Sequence, residues 1–351
     1  MSTGSQRAST TALLFPGQGS QFQGMVEAVE KCPPAMDLFQ EASRVLGYDL
    51  LGALREADSR SFSDTAFVQP AIFVTSLALL TASGCLDGDA NFLSIHSDPP
   101  VAEISETADG FSFGSAAGHS LGEYTALVAS KMVTFAEGLE LVATRGEAMK
   151  MACAMTKGAM VALLGAEEKR VEEVCAERRS RGGAVWVANL NCPGQVVISG
   201  DIAEVEQALA NPRHFGARRA VMLDVAGACH TPLMEPALKL LSDAVSKVDF
   251  KSSPVTVWSN VTAQPYASPE EVPKLLARQL VEPVRWKQTL QNLETAGVSA
   301  FVCFGPSDTM AGLARRCLLA NNKERTGNAA RIVRIETFAS ASNPTVETVD
   351  G

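Results

Sequence analysis

The sequence lacks closely spaced cysteine pairs, long apolar runs and an excess of positive charge, and each absence argues against a class of protein. Its eight cysteines are scattered without a C-x-x-C pair, which argues against a zinc site or a disulfide scaffold and favours reduced thiols inside a cell. No apolar run is long enough to span a bilayer, so no membrane partner is expected. The net charge of −9 argues against a nucleic-acid partner.

The pattern along the chain is that of an α/β protein. Apolar strand-like runs alternate with amphipathic helical stretches over most of the 351 residues, which is typical of a parallel sheet covered by helices. We expect residues 12–155 and 227–338 to form this core. Residues 339–351 are small, polar and aperiodic and predict a disordered tail. Residues 1–11 predict a disordered start, with the stub of an organelle transit peptide as the alternative.

The middle of the chain has its own order of elements and predicts an inserted subdomain over residues 156–226. The order strand, helix, strand, strand, helix, strand is the βαββαβ unit of a ferredoxin-like fold. The predicted strands are 159–164, 184–190, 195–199 and 218–225, and the predicted helices are 167–179 and 202–210. A separate stretch, 86–109, has repeated acidic residues and no sustained period. It predicts a surface loop or a disordered insertion, for which the sequence suggests no function.

One pentapeptide can carry nucleophilic chemistry. Gly118-His119-Ser120-Leu121-Gly122 matches the G-x-S-x-G pattern, with a strand predicted before it and a helix over 121–130 after it. The glycines on either side of the serine allow neighbouring backbone to approach closely. The start of a helix directs free N–H groups toward a developing oxyanion. The pattern therefore predicts Ser120 as the nucleophile of an acyl-transfer reaction.

A serine nucleophile needs a general base, and the chain has four histidines that could supply it. His119 adjoins the serine, and its side chain is expected to point away from it. His96 lies in an irregular segment and His214 in a turn, where both are expected to be solvated. His230 follows a turn of small residues and precedes a helix start, so elimination favours His230 as the base. The alternative for His230 is a core histidine with satisfied hydrogen bonds.

Two further features allow two interpretations each. The turn Gly17-Gln18-Gly19 follows the first predicted strand but lacks the Gly-Lys-Ser/Thr ending of a phosphate loop, so its N–H groups could instead hold an oxyanion. Arg145 lies on an otherwise apolar helical face, where an arginine is either a clamp for a carboxylate or half of a structural ion pair. The residue pattern alone slightly favours the ion pair.

Several segments match one family in its order along the chain. They are FPGQGSQ at 15–21, GHSLGEY at 118–124, Arg145-Gly146, NCPGQVVISG at 191–200, RQL at 278–280 and PVRW at 283–286. Together they resemble the malonyl-CoA:acyl-carrier-protein transacylase family, the acyltransferases of fatty-acid and polyketide synthesis. The likeness covers roughly residues 13–316. It implies a hydrolase-like parallel-sheet core in which the ferredoxin-like unit is inserted.

The resemblance also implies roles for individual residues. Ser120 would attack the thioester of malonyl-CoA, and His230 would take its proton. A main-chain carbonyl near Gln279, rather than an Asp, would orient the histidine. The backbone N–H groups of Gln18 and Leu121 would hold the oxyanion.

The resemblance assigns the remaining pocket residues as well. Arg145 would pair with the free carboxylate of the malonyl group, which resolves its two interpretations in favour of the clamp. The other residues expected to bind substrate are Gln69, Gln279, Asn191 and Cys229. For Gln69, packing support is an equal alternative. Cys229 is smaller than the Phe of malonyl-selective polyketide domains, which leaves the exclusion of larger acyl groups open.

Taken together, the resemblance implies a two-step transfer of malonyl from malonyl-CoA to the phosphopantetheine thiol of an acyl carrier protein, without a metal or cofactor. It implies a monomer in the cytoplasm or in a plastid-type organelle, with Arg315 and Arg316 as candidates for carrier docking. Two alternatives stay open at this point. One is a serine esterase or thioesterase, and the other is a non-catalytic carrier-docking protein of the same fold.

Overall fold

A computed structural model describes residues 11–83, 113–225, 227–324, 333–338 and 345–349. The predicted loop at 86–109 and the start of the chain before Thr11 lie outside these residues. The strands are β1 (Thr11–Phe15), β2 (Ser115–Gly118), β3 (Gly158–Leu164), β4 (Val185–Cys192), β5 (Gln195–Asp201), β6 (Arg219–Met222), β7 (Thr256–Trp258), β8 (Ala300–Phe304), β9 (Val333–Phe338) and β10 (Thr345–Val349).

The helices surround two sheets. They are α1 (Pro33–Leu46), α2 (Leu50–Glu56), α3 (Thr65–Ala82), α4 (Gly122–Ala129), α5 (Phe135–Met155), α6 (Glu168–Ser180), α7 (Ile202–Ala210), α8 (Glu235–Val245), α9 (Val272–Gln279), α10 (Trp286–Thr295) and α11 (Thr309–Glu324). Short 3₁₀ turns occupy Ser61–Ser63, Pro212–Phe215, Pro232–Met234 and Pro269–Glu271.

The larger sheet has the order β10-β9-β8-β1-β2-β7. All of its pairings are parallel except β10 with β9, and β1 lies in the interior between β8 and β2. From Ala12 to Phe15, β1 is completely buried, as expected for a parallel strand covered on both faces. The carboxyl ends of β1, β2 and β7 meet at one edge, which is where open α/β sheets place their ligands.

The smaller sheet confirms the predicted ferredoxin-like unit. Its order is β4-β5-β3-β6, every pairing is antiparallel, and α6 and α7 connect its strands as the βαββαβ order requires. The fold class, a parallel-sheet core with a ferredoxin-like insertion, is confirmed. Its last strand is shorter than predicted, because β6 is an edge strand that pairs with β3 over only four positions. The exact division at residues 156 and 226 stays a prediction.

The longest apolar helix belongs to the core. From the sequence we expected no apolar run long enough to span a bilayer, but among the described residues α3 alone has that length and composition. Of this helix, 78% is buried inside the protein, as in a core helix. It begins at Thr65, three residues before the apolar run 68–80 that the sequence shows. The reason is that the Asp64 side chain accepts a hydrogen bond from the Ala66 N–H and caps the first turn.

The C-terminus differs from the sequence prediction. Within the segment predicted to be disordered, residues 345–349 form β10 and pair with β9 in the larger sheet. The prediction rested on composition, yet Thr345-Val346-Glu347-Thr348-Val349 is rich in β-branched residues that suit a strand. A neighbouring strand edge provides the pairing that composition alone does not reveal.

Candidate active site

The serine lies on a sharp turn between β2 and α4. Ser120 has a φ of +52°, which is unusual for a residue with a side chain. The turn closes so tightly that a Cβ on Gly118 would lie 1.8 Å from the carbonyl carbon of Gly122. A Cβ on Gly122 would lie 2.2 Å from the carbonyl oxygen of Phe15. Both positions therefore require glycine, which is the physical content of the G-x-S-x-G pattern.

This packing predicts a large stability difference between two glycine substitutions. Gly122→Ala should lower the free energy of unfolding by about 3 kcal/mol, because its Cβ meets backbone that cannot move aside. Gly312→Ala, in α11, is the matched control, since nothing lies within 4 Å of the added carbon. It should raise the free energy by about 0.5–1 kcal/mol, as Gly to Ala does inside a helix. Urea unfolding measures both, and equal stability of the two variants would contradict the tight turn.

His230 contacts the serine directly. Its Nε2 lies 2.8 Å from Ser120 Oγ, and its Nδ1 lies 2.7 Å from the main-chain oxygen of Gln279. Since that carbonyl only accepts, Nδ1 carries the proton and Nε2 is free to accept from the serine hydroxyl. The carbonyl takes the place that an Asp fills in other serine enzymes.

The other two histidines that the structure describes do not contact the serine hydroxyl. Nε2 of His119 lies 2.9 Å from Asn191 Oδ1, and its ring meets the edge of Trp286 at 5.7 Å. His214 is exposed on the smaller subdomain. His96 lies outside the described residues. The structure therefore brings together the serine and histidine chosen by elimination, and it places Asn191 against His119 rather than against Ser120.

Burial changes the protonation of His230. The side chain is 4% exposed, and this desolvation, reinforced by the positive charge of Arg145, lowers its pKa to about 3. An unperturbed imidazole titrates at about pH 6.5. In the structure the imidazole is neutral at pH 7, which is the form that a general base needs.

We expect the His230 imidazole to show no titration between about pH 5 and 8 in an NMR pH series. Because the folded pKa lies below the unfolded value, His230 stabilises the fold fully above about pH 6.5, and that stability is lost as the pH falls toward the folded pKa. Arg145→Met should raise the pKa of His230. A midpoint near pH 6.5 in the unaltered protein would contradict the burial argument.

Arg145, on α5, is buried, and no described residue is its counter-ion. It is 1% exposed, and burial lowers its pKa. Its two terminal nitrogens donate to Gln69 Oε1 at 2.7 Å, Ser120 Oγ at 2.9 Å and Gln279 Oε1 at 3.1 Å. Its Nε has no hydrogen-bond acceptor among the described residues. No carboxylate in that part of the chain forms an ion pair with it, which the ion-pair interpretation of the residue pattern would have required.

Two backbone N–H groups beside the serine have no acceptor in the described part of the chain. They belong to Gln18, in the turn after β1, and to Leu121, at the start of α4. The Ser120 N–H, by contrast, donates to Asn260 Oδ1 at 2.6 Å. The turn after β1 packs directly against the turn that holds Ser120. A Cβ on Gly17 would lie only 2.6 Å from the carbonyl oxygen of His119.

A buried carboxylate behind the serine was missed in the sequence. Glu123 is completely buried and accepts from Gln279 Nε2 at 2.5 Å, from the Asn260 N–H at 3.2 Å and from the Tyr266 hydroxyl. Burial raises its pKa to about 7. Glu123 was visible within GHSLGEY, but an acidic residue in the first turn of a helix is ordinarily explained by the helix dipole. Its real partners come from distant segments.

Gln279 connects these groups. Its carbonyl oxygen holds His230, its side-chain oxygen accepts from Arg145, and its side-chain nitrogen donates to the Ser120 carbonyl oxygen at 2.8 Å as well as to Glu123. The Glu123 carboxylate only accepts hydrogen bonds, so the amide nitrogen of the Gln279 side chain must face it. The amide oxygen of Gln279 therefore faces Arg145. The residue thus orients both the base and the guanidinium.

The site opens between the two sheets. A cavity of about 100 Å³ beside His230 is lined by Trp186 and Arg179 of the smaller subdomain and by Val281 and Pro283 of the core. Arg179 lies over the Trp186 ring at 5.7 Å. Among the described residues no group of histidine, cysteine and acidic side chains could hold a metal ion.

A serine with a histidine base and free N–H groups, at the edge of a parallel sheet, defines a class of acyl-transfer enzyme. A family model described as an acyl transferase domain matches residues 102–330. The malonyl CoA-acyl carrier protein transacylase of Bacillus subtilis is 37% identical over 88% of this chain and 90% of that protein. The chain therefore belongs to the malonyl-CoA:acyl-carrier-protein transacylase family of acyltransferases.

Solved structures agree with this assignment. The malonyl-CoA:acyl carrier protein transacylase of Xanthomonas oryzae has a TM-score of 0.79 and 33% identity, covering 95% of each chain. A second similar structure is a malonyl-transacylase in complex with a type II polyketide-synthase acyl-carrier protein. It has a TM-score of 0.77 and 32% identity over 88% of this chain and 92% of that one.

Proposed function

We propose that this enzyme transfers a malonyl group from malonyl-CoA to the phosphopantetheine thiol of an acyl carrier protein, through an ester on Ser120. The observation that carries the choice of acyl group is the buried guanidinium of Arg145, which lies beside the nucleophile and has no counter-ion among the described residues. A buried unpaired charge is costly, and a substrate carboxylate would compensate it. The names of the bacterial relative and of the solved structures support the same substrate.

In the first step, Ser120 Oγ attacks the thioester carbonyl while His230 Nε2 takes the hydroxyl proton. The N–H groups of Gln18 and Leu121 hold the oxyanion that forms. The carbon–sulfur bond then breaks, the proton passes from His230 to the departing CoA sulfur, and malonyl remains as an ester on Ser120. The Arg145 nitrogen that lies 2.9 Å from Ser120 Oγ supports the developing negative charge.

In the second step, the carrier thiol gives its proton to His230, and its sulfur attacks the ester through the same tetrahedral geometry. The bond to Ser120 breaks and the serine regains its proton. Each group involved belongs to the protein or to a substrate, so the proposed route uses no cofactor. The substrate carboxylate would meet the Nε side of Arg145, because that nitrogen is unused and buried.

The expected carrier is acidic, and two surfaces could receive it. Arg315 and Arg316 were the candidates from sequence, and the Nε of Arg316 donates to the Gly312 carbonyl oxygen. A larger basic concavity of about 640 Å³ lies on the smaller subdomain. Its lining includes Arg178, Arg181, Arg213 and Arg218. A monomeric state and a cytoplasmic or plastid-type location remain part of the proposal.

Intact mass spectrometry after mixing the protein with malonyl-CoA, acetyl-CoA or methylmalonyl-CoA tests the proposal. We expect a single malonyl adduct that disappears when phosphopantetheinylated carrier protein is added and that persists in buffer. Rapid loss of the adduct to water, at a rate rivalling transfer, would favour an esterase or thioesterase. Failure to form any adduct would favour a non-catalytic docking protein.

A further inference from the structure

We propose that Cys153 and Cys229 form a reversible oxidation site whose disulfide switches the active site off. Cys229 directly precedes the base His230, and Cys153 lies two turns beyond Arg145 on α5. The Cys153 thiol donates a hydrogen bond to the Cys229 sulfur, so the two side chains already touch. The loss of activity rests on the proposed function, whereas the bond itself does not.

The backbone is shaped around this pair. Gly227 has a φ of +84°, and a Cβ there would lie 2.1 Å from Cys153 Sγ. Only glycine lets the chain curve past the sulfur and bring Cys229 against it. The turn of small residues that leads to His230 therefore also packs against the Cys153 sulfur.

One cysteine of the pair is accessible to solvent, and the other has a lowered thiol pKa. Cys153 is half-buried, and its helix neighbours Met151 and Met155 are 59% and 71% exposed, so a small oxidant can reach it from solvent. Cys229 is 8% exposed, and the hydrogen bond from Cys153, together with the positive charge of Arg145, lowers its pKa against the effect of burial. A lowered thiol pKa distinguishes reactive cysteines from inert buried ones.

Hydrogen peroxide is the oxidant class we propose, because Cys153 is half-buried and Cys229 is 8% exposed, so the oxidant must be small. The Cys229 thiolate attacks one peroxide oxygen, the oxygen–oxygen bond breaks, and a sulfenic acid and hydroxide form. The Cys153 sulfur then attacks the sulfenyl sulfur, its proton and the displaced hydroxide leaving as water. Two thiols lose two hydrogens, and one peroxide becomes two waters.

The new bond would disturb the base. A disulfide is about 2.05 Å long, which is shorter than any hydrogen bond between thiols, so Cys229 must move toward α5. His230 follows it in the chain and has a φ of +60°, with hydrogen bonds of 2.8 Å to Ser120 and 2.7 Å to Gln279. A displacement of this kind misaligns the proton transfer, and a dithiol that reduces the bond restores it.

The test treats the full chain with hydrogen peroxide and follows mass, peptide linkage and acyl transfer together. We expect a loss of two hydrogens, a peptide that joins Cys153 to Cys229, at least a tenfold fall in transfer (about 1.4 kcal/mol of barrier), and recovery with dithiothreitol. Cys153→Ser should keep its basal activity and form no such link. Cys32→Ser, at a half-buried cysteine before α1, should behave like the unaltered protein.

Absence of the linked peptide in peroxide-treated protein would overturn the site, and so would a link that leaves transfer unchanged. If the protein transfers no acyl group before oxidation, the proposed function fails, while the mass and linkage results still decide the thiol pair.

Discussion

Ser120→Ala is expected to abolish the acyl-enzyme. The variant lacks the only hydroxyl that His230 contacts at 2.8 Å among the described residues, so no ester can form at this site. Transfer to the carrier protein should fall by about 10⁴-fold or more, as in other enzymes that lose a nucleophilic serine. Intact mass spectrometry should show no adduct after incubation with malonyl-CoA.

Ser130→Ala is the matched control for this experiment. Ser130 is buried at the end of the same helix, α4, and its hydroxyl has no hydrogen-bond partner among the described residues. Its removal should leave adduct formation unchanged. A malonyl adduct that still forms on the Ser120→Ala protein would show that the nucleophile is another residue.

Arg145→Met is expected to change the choice of acyl group. It keeps the length of the side chain but removes the charge that would face the malonyl carboxylate. We expect kcat/KM for malonyl transfer to fall by about 10²-fold, or about 3 kcal/mol, because a charge-assisted pair in a buried site is lost. Acetyl transfer should fall much less, since acetyl has no carboxylate. Only the loss of the hydrogen bond to Ser120 Oγ would affect it.

The control for Arg145→Met is Arg55→Met, which removes an exposed arginine paired with Glu30 on a distant surface. It should leave both activities unchanged, because exposed ion pairs contribute little. Urea unfolding checks that Arg145→Met is folded. An equal loss of malonyl and acetyl transfer would remove Arg145 from substrate recognition.

The sequence predicted those parts of the site that depend on local geometry. The turn around Ser120 could be predicted because tight backbone contact allows only glycine at 118 and 122. His230 could be chosen because only four histidines exist. The separation of the chain into a parallel-sheet core and a ferredoxin-like insertion could be predicted from periodicity. Strands and helices place their apolar residues at different intervals, so the order of elements can be recognised in the sequence.

The surroundings of Arg145 could not be predicted in the same way. Its partners Gln69 and Gln279 come from α3 and α9, far apart in the sequence, and local periodicity carries no information about such contacts. The pattern of its own helix therefore favoured an ion pair, and none forms among the described residues. The role of Glu123 was hidden for the same reason, because Tyr266 and Asn260 approach it only in the folded chain.

The four hydrogen bonds of Gln279 limit how acyl selectivity can change. One residue sets the position of the guanidinium and the direction of the imidazole, so a substitution there would alter substrate choice and turnover together. Gln69 contacts Arg145 from the other side and, within the part of the chain that the structure describes, forms no hydrogen bond to His230. Variation that broadens the range of acyl groups without loss of rate should therefore arise on α3, while α9 should tolerate little change where it meets the base.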